Sequence, residues 1–329
     1  MFTKMQSKIN VIGYTDQISV EPGDCVRFMV SCKSPTYRAD IVRLIHGDPH
    51  PDGPGRKEQV IDTPVNDDYK GREQQIHTGS HVQVPDQASL RDLKSFTLKA
   101  WIWPTLPQAG WQGLLTKWDE AAQVGYGLFV GTEGELVACI GDGRENMTRI
   151  STRVPLHAFR WYFVAAVFDS ENARLRVHQH ALVPWASNDA SVVVEEAVAN
   201  GKLGQSNSPF LMAASWNGVR SENHYDGKID SPEVFDHALS PDEIDMLRRD
   251  RGENLPNSPV ASWDFSADIS SAKVTDRSPN ELHGQSVHFP ARAVTGHNWR
   301  GDEGNWTQAP NQYGAIHFHR DDLEDAGWD

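Results

Sequence analysis

The sequence predicts an all-β protein built on one large antiparallel sandwich, and three observations carry that reading. From about residue 75 to 240, short runs rich in β-branched and aromatic residues recur between turn residues, with almost no helical period. Phe96-Thr97-Leu98-Lys99-Ala100-Trp101-Ile102-Trp103 alternates, placing Phe96, Leu98, Ala100 and Ile102 on one face and Trp101 and Trp103 on the other, so both faces are expected to be covered. Residues 161–168 are apolar on both sides, as a central strand requires, and Asp169-Ser170-Glu171-Asn172 reads as a hairpin loop into the next strand. Strands spaced this closely fit a sandwich better than a parallel α/β sheet.

Ahead of the sandwich, residues 11–14, 18–20, 25–30 and 41–45 read as short strands, with Glu21-Pro22-Gly23-Asp24 as a turn. This stretch resembles half of an immunoglobulin-like sandwich and is too short to close one. The Pro/Gly cluster over residues 46–55 is a loop or linker. Within the sandwich, residues 175–180 alternate so that Arg176, His178 and His180 face water. Leu136-Val137-Ala138-Cys139-Ile140 is an apolar strand, which makes Cys139 an inert core thiol. One helix stands out. Ser240 caps it, Pro241 takes its first position, Glu243 completes a capping box, and Arg248 and Arg249 suit its C-terminal end. Ile244 and Leu247 are expected to pin it to the sandwich. The resulting division is 1–72 for the immunoglobulin-like segment and linker, 73–292 for the sandwich, and 293–329 for a connector.

The charge balance, 45 acidic against 31 basic residues, argues against a nucleic-acid partner, which needs a basic face. Three cysteines without a Cys-x-x-Cys pair argue against a disulfide framework or zinc cage and for a reducing compartment. The first residues lack the apolar core of a secretory signal. No apolar run approaches the ~20 residues of a bilayer span. A cytoplasmic protein without a membrane partner is expected.

Taken in order, Ser95-Phe96-Thr97-Leu98-Lys99-Ala100-Trp101-Ile102, Gly113-Leu114-Leu115-Thr116-Lys117-Trp118, Gly125-Tyr126-Gly127-Leu128, the strand pair over 161–180, and Tyr225-Asp226-Gly227-Lys228-Ile229-Asp230 resemble the laminin-G/concanavalin A-like jelly roll. The flanks resemble something narrower. Tyr37-Arg38-Ala39-Asp40-Ile41-Val42-Arg43-Leu44, Pro290-Ala291-Arg292-Ala293-Val294-Thr295-Gly296-His297-Asn298-Trp299 and Tyr313-Gly314-Ala315-Ile316-His317-Phe318-His319-Arg320-Asp321-Asp322-Leu323 are similar to the N,N-dimethylformamidase large-subunit family. That resemblance implies a laminin-G-like domain ahead of a larger catalytic domain with a mononuclear iron held by tyrosines and a glutamate. It also implies a small helical partner subunit, a homo-oligomer, and hydrolysis of small N-substituted amides. In that pattern the iron ligands lie past Asp329, so no catalytic residue and no cofactor is assigned within this chain. The expected role is the non-catalytic N-terminal portion of such an enzyme. A free-standing laminin-G-like module binding carbohydrate or protein is the alternative.

Several constellations could carry chemistry. On a strand, His317-x-His319 puts two imidazoles on one face, and Asp321 or Asp322 could add a carboxylate for Fe or Zn; a solvated polar strand end is the plainer reading. Trp111, Trp118 and Trp216 could form a sugar-stacking platform, or simply be core tryptophans. Asp264, Asp268 and Asp276 are oxygen-rich enough for Ca²⁺ but lack EF-hand spacing. Asp226-x-Lys228-x-Asp230 has lysine in the middle, so its same-face acids are too far apart for a retaining glycosidase, whose carboxyls stand about 5 Å apart. Asp226-Gly227 is read as a tight turn into the final strand.

Overall fold

The computed structural model describes residues 10–17, 19–50, 52–75, 77–184, 191–198, 202–249, 258–299 and 311–323. The chain divides into two compact units, one of Met1–His77 with Asp325–Asp329 and one of Thr78–Glu324.

In the first unit, β1 (Val11–Thr15) pairs antiparallel with β2 (Phe28–Cys32). Then β3 (Thr36–Ala39), β4 (Val42–His46), β5 (Lys57–Val60) and β6 (Asp67–Lys70) nest, with β4 on β5 and, outside them, β3 on β6. Tyr37 and Tyr69 stack across the outer pair with centroids 5.6 Å apart. The Pro/Gly cluster is therefore the tip of the β4–β5 hairpin rather than a linker. An immunoglobulin-like half-sandwich does not form among the described residues: the strands make three separate two-stranded ladders. Val42, Leu44 and Val60 are exposed among the described residues. Ile18, part of one expected strand, lies outside the described residues.

The second unit runs β7 (His81–Val84), α1 (Ala88–Arg91), β8 (Phe96–Pro104), β9 (Gln112–Asp119), β10 (Val124–Val130), β11 (Glu135–Asp142), β12 (Thr148–Pro155), β13 (Tyr162–Asp169), β14 (Arg174–Ala181) and β15 (Val192–Ala197). It continues through β16 (Phe210–Met212), β17 (Ser215–Trp216), β18 (Ser221–Glu222), β19 (Gly227–Phe235) and α2 (Pro241–Arg248). Its last strands are β20 (Ala261–Asp264), β21 (Lys273–Asp276), β22 (Gly284–Val287), β23 (Ala291–Val294) and β24 (Ala315–Phe318). One sheet has the order β12-β11-β10-β9-β16-β7-β22-β21 and the other β15-β14-β13-β8-β19-β24-β23, with β20 bridging β19 to β21. Leu98, Ala100, Ile102, Val164, Ala166 and Phe168 face Tyr126, Leu128 and Val130 in the core between them.

Both outer faces are partly covered, as the alternation of β8 and β13 predicts. Trp101, Phe163, Ala165 and Val167 meet Phe235, Leu239, Ile244 and Leu247, so α2 roofs the second sheet. Its capping box is complete: Glu243 N–H donates to Ser240 Oγ at 3.3 Å and Ser240 N–H to Glu243 Oε2 at 2.8 Å. Trp118, Phe129, Val137 and Cys139 form a patch on the outer face of the first sheet, and burial pushes the Cys139 thiol up to about 12.

Two expectations are corrected here. His178 and His180 do not face water. They share the face of Phe163 and Ala165, their cross-strand partners, and His180 feels the charges of Arg248 and Asp245 on α2, which covers that face. The expected connector is partly built into the sandwich: within its described residues, 293–299 and 311–323, β24 and the end of β23 extend the second sheet beyond β19. The part of the expected connector over 300–310 and 324–329 lies outside the described residues.

Candidate metal centre

The outer face of the second sheet carries the site. Residues two apart on a strand share a face, and Lys228 lies opposite Trp103 on one side and His317 on the other. One row across β8, β19 and β24 is thus Trp103, Lys228 and His317. The next row, past the strand ends, is Thr105, Asp226 and His319, kept in register by Thr105 N–H donating to the Asp226 carbonyl at 2.9 Å. Gly227 permits the approach: its φ is +145°, and a Cβ there would stand 2.4 Å from the Trp103 carbonyl oxygen.

Asp226, His317 and His319 present ligand atoms that all lie within 4.8 Å of one another. Asp226 is buried; its Oδ2 accepts from the Arg320 N–H at 3.3 Å and its Oδ1 stands 3.7 Å from His319 Nδ1. The two imidazole centroids are 4.1 Å apart. His317 Nε2 is buried without a hydrogen-bond partner among the described residues. Burial, with His319 and Lys228 nearby, pushes His317 down to about 4, leaving it neutral near pH 7, the form that ligates metals. Lys228 is drawn aside: its Nζ donates to Thr295 Oγ1 at 2.8 Å and sits 4.9 Å from the centroid of the Trp103 ring. The turn after β24 is fixed from behind, where His319 N–H donates to Ser80 Oγ at 3.0 Å and Ser80 Oγ donates to Asp322 Oδ2 at 2.6 Å.

The structure thus unites His317 and His319 with Asp226 rather than with Asp321. Asp322 is engaged by Ser80, and Asp321 lines a separate polar cavity of about 330 Å³ with Trp111, Asn223, His224 and Arg320. Asp226 escaped sequence reading because Asp226-x-Lys228 and His317-x-His319 are same-face pairs on facing strands, and only the register brings them together. The Asp226-Gly227 turn feeds β19, which is not the final strand.

One step back on the same face, Asp230 lies opposite Trp101. It is 2% exposed, and its Oδ2 receives the His297 N–H at 3.0 Å and His297 Nδ1 at 2.6 Å. The His297 ring stacks on Trp101 with centroids 4.4 Å apart. Gly296 is required here, since a Cβ would sit 2.4 Å from Asp230 Oδ2. Burial alone would raise the Asp230 carboxyl, but the bonds and charge from His297 and the Ser231 hydroxyl bring it below the usual carboxylate range. This clamp and the metal-ligand row tie the segment after β22 to the phrase 225–230.

The three tryptophans do not form a platform. Trp118 is 0% exposed inside β9, donating Nε1–H to Glu120, so it has no free ring face. Trp111 and Trp216 stand at opposite ends of β9, the first stacked on Phe129 at 4.8 Å and the second beside Asp119 and Gly218. The acids Asp264, Asp268 and Asp276 turn to separate partners: Ser266 with Arg277, Thr275, and Ser262, Ser278 with Leu282 respectively. The core tyrosines do not fit an iron-ligand role. Tyr126 and Tyr225 are fully buried, and burial raises their hydroxyls above the ordinary range, opposite to what a phenolate ligand needs. Tyr162, also in the core, accepts a bond from His157 N–H.

Residues 77–245 match the Laminin_G_3 family, described as the concanavalin A-like lectin/glucanases superfamily. The N,N-dimethylformamidase beta subunit of Paracoccus aminophilus is 37% identical over 343 residues, covering 98% of this chain and 45% of that protein. The beta subunit of the same name from Alcaligenes sp is 35% identical with the same coverage. The chain spans less than half the length of these curated relatives. Among solved structures, the CBM40 of the Ruminococcus gnavus IT-sialidase, bound to alpha2,3 sialyllactose, aligns at TM-score 0.42 and 14% identity over 54% of this chain and 96% of that one. From the family match over residues 77–245 and the two-sheet sandwich those residues build, the chain belongs to the Laminin_G_3 family of the concanavalin A-like lectin/glucanases superfamily.

Proposed function

We propose that this chain is the non-catalytic structural and assembly portion of a dimethylformamidase-like amidohydrolase acting on small N-substituted amides. Catalysis would belong to an iron-bearing region outside these residues, working with a small partner subunit in a homo-oligomer. The observation that carries this reading is the alignment, which takes in 98% of this chain but only 45% of each beta subunit. The sandwich and its flanks therefore correspond, as one block, to a part of those proteins. The Asp230–His297 clamp supports a scaffold role, since it makes the flank after β22 integral to the sheet. Free Cys25, Cys32 and Cys139 suit a reducing cytoplasm. Among the described residues no helix is long and apolar enough to cross a membrane.

The test is to purify the chain, add ferrous iron, and measure dimethylamine release from N,N-dimethylformamide. No turnover is expected. Turnover by the chain alone would overturn the assignment of catalysis to another region.

A further inference from the structure

We propose that Asp226, His317 and His319 bind one divalent transition-metal ion, with zinc the best fit, and that the ion staples β24 and its following turn to β19. The proposal is independent of the amidohydrolase reading, because it rests only on the geometry of the second sheet.

Two imidazoles and a carboxylate are a set that zinc and the neighbouring first-row divalent ions take, with a further position left for water. Calcium and magnesium prefer oxygen ligands and fit less well. The ligand atoms lie within 4.8 Å of one another, and an inward turn of about 1 Å would bring them to the ~3.3–3.6 Å that bonds of 2.0–2.2 Å give around a tetrahedral ion. Asp226 is held by the Arg320 backbone, and the orphaned Nε2 of His317 gains a partner on binding. His319, whose side chain is 45% exposed, is the member free to rotate inward.

Charge also permits it. Among the described residues, the two nearby cations point to neutral partners rather than at the ligand atoms: Lys228 to Thr295 and the Trp103 ring, and Arg320, whose guanidinium donates to the Ala109 carbonyl at 3.2 Å. Asp322 lies just behind the turn, and the chain as a whole carries −14. The ion would join two strands whose ligands are more than ninety positions apart in sequence, where only short ladders now hold them.

The test uses the chain stripped with chelator and titrated with ZnCl2 by calorimetry and with CoCl2 by visible absorption. One equivalent should bind, with cobalt giving ligand-field bands in the visible, and zinc should raise the melting temperature. His317→Ala and His319→Gln should each weaken binding at least about tenfold and abolish the zinc-dependent rise. Asp321→Asn and His178→Ala should bind as the parent does. Because Asp226 is buried, the partly exposed His319 carries the decisive variant, judged by an unchanged melting temperature without metal. Absence of saturable zinc binding, or equal affinity in the parent and both histidine variants, would overturn the proposal.

Discussion

Replacing Asp230 with asparagine removes a charge at a point where three donors converge. The carboxylate takes His297 N–H and Nδ1–H on Oδ2 and the Ser231 hydroxyl on Oδ1, at 3.0, 2.6 and 2.9 Å. An amide has one acceptor oxygen; with that oxygen on His297 its NH2 can donate to the Ser231 hydroxyl, so what is lost is the charge on the acceptor of the two His297 bonds. Replacing two charge-assisted bonds by neutral ones costs about 1 kcal/mol each, for a loss of about 2 kcal/mol. Urea unfolding followed by tryptophan fluorescence should show that loss with an unchanged m-value. The carboxyl lies below its ordinary 3.8, so its contribution is complete above that value and is lost as pH falls through the folded value. The gap between parent and variant should therefore hold from pH 8 to 5 and narrow only in stronger acid. A loss under about 0.5 kcal/mol would refute the reasoning, showing that the desolvation of this pair cancels its attraction.

Three further outcomes are expected. His81 and His178 are buried and pushed down to about 4, chiefly by desolvation, so the unfolded chain binds more protons between about 4 and the ordinary 6.5; stability should be lost as pH is lowered through that window, by on the order of 3 kcal/mol for each, as read from urea midpoints at stepped pH. Leu247→Ala should cost about 2–3 kcal/mol in urea by unpinning α2, and Ser240→Ala about 1 kcal/mol by removing its cap. Thiol titration with a disulfide reagent should find Cys25 reactive in the native protein and Cys32 and Cys139 only after urea, since the first is exposed and the others buried.

The fold was legible wherever alternation and burial coincide. Phe96, Leu98, Ala100 and Ile102 announced an inner face, and residues 161–168 a strand covered on both sides, because each of those side chains does face a packed layer. The α2 boundary was legible because its cap is a local interaction. Reading failed where polarity and exposure part company. His178 and His180 look solvent-facing by type, yet a helix some sixty residues later lies over them. Strands β23 and β24 are four residues each, too short to show a period. The metal-ligand row was half visible: His317 and His319 declare themselves by spacing, whereas Asp226 joins them only through an antiparallel register between segments more than ninety positions apart. A local pattern holds no information about that pairing.

The position of β7 in the middle of its sheet sets a constraint on how the second unit is made. Its two edges are satisfied by β16, through Val84 with Phe210, and by β22, through His81 with Val287. Just before it, Ser80 bonds Asp322, 242 positions away. The first strand of this unit to leave the ribosome must therefore wait for β16 to seal one flank and for β22, among the last strands, to seal the other. Contacts of such separation make folding slow, and an open strand in the interval is a template for pairing with other chains. Fragments ending before residue 287 should consequently carry an unpaired β7 edge and aggregate, whereas the full unit closes over it.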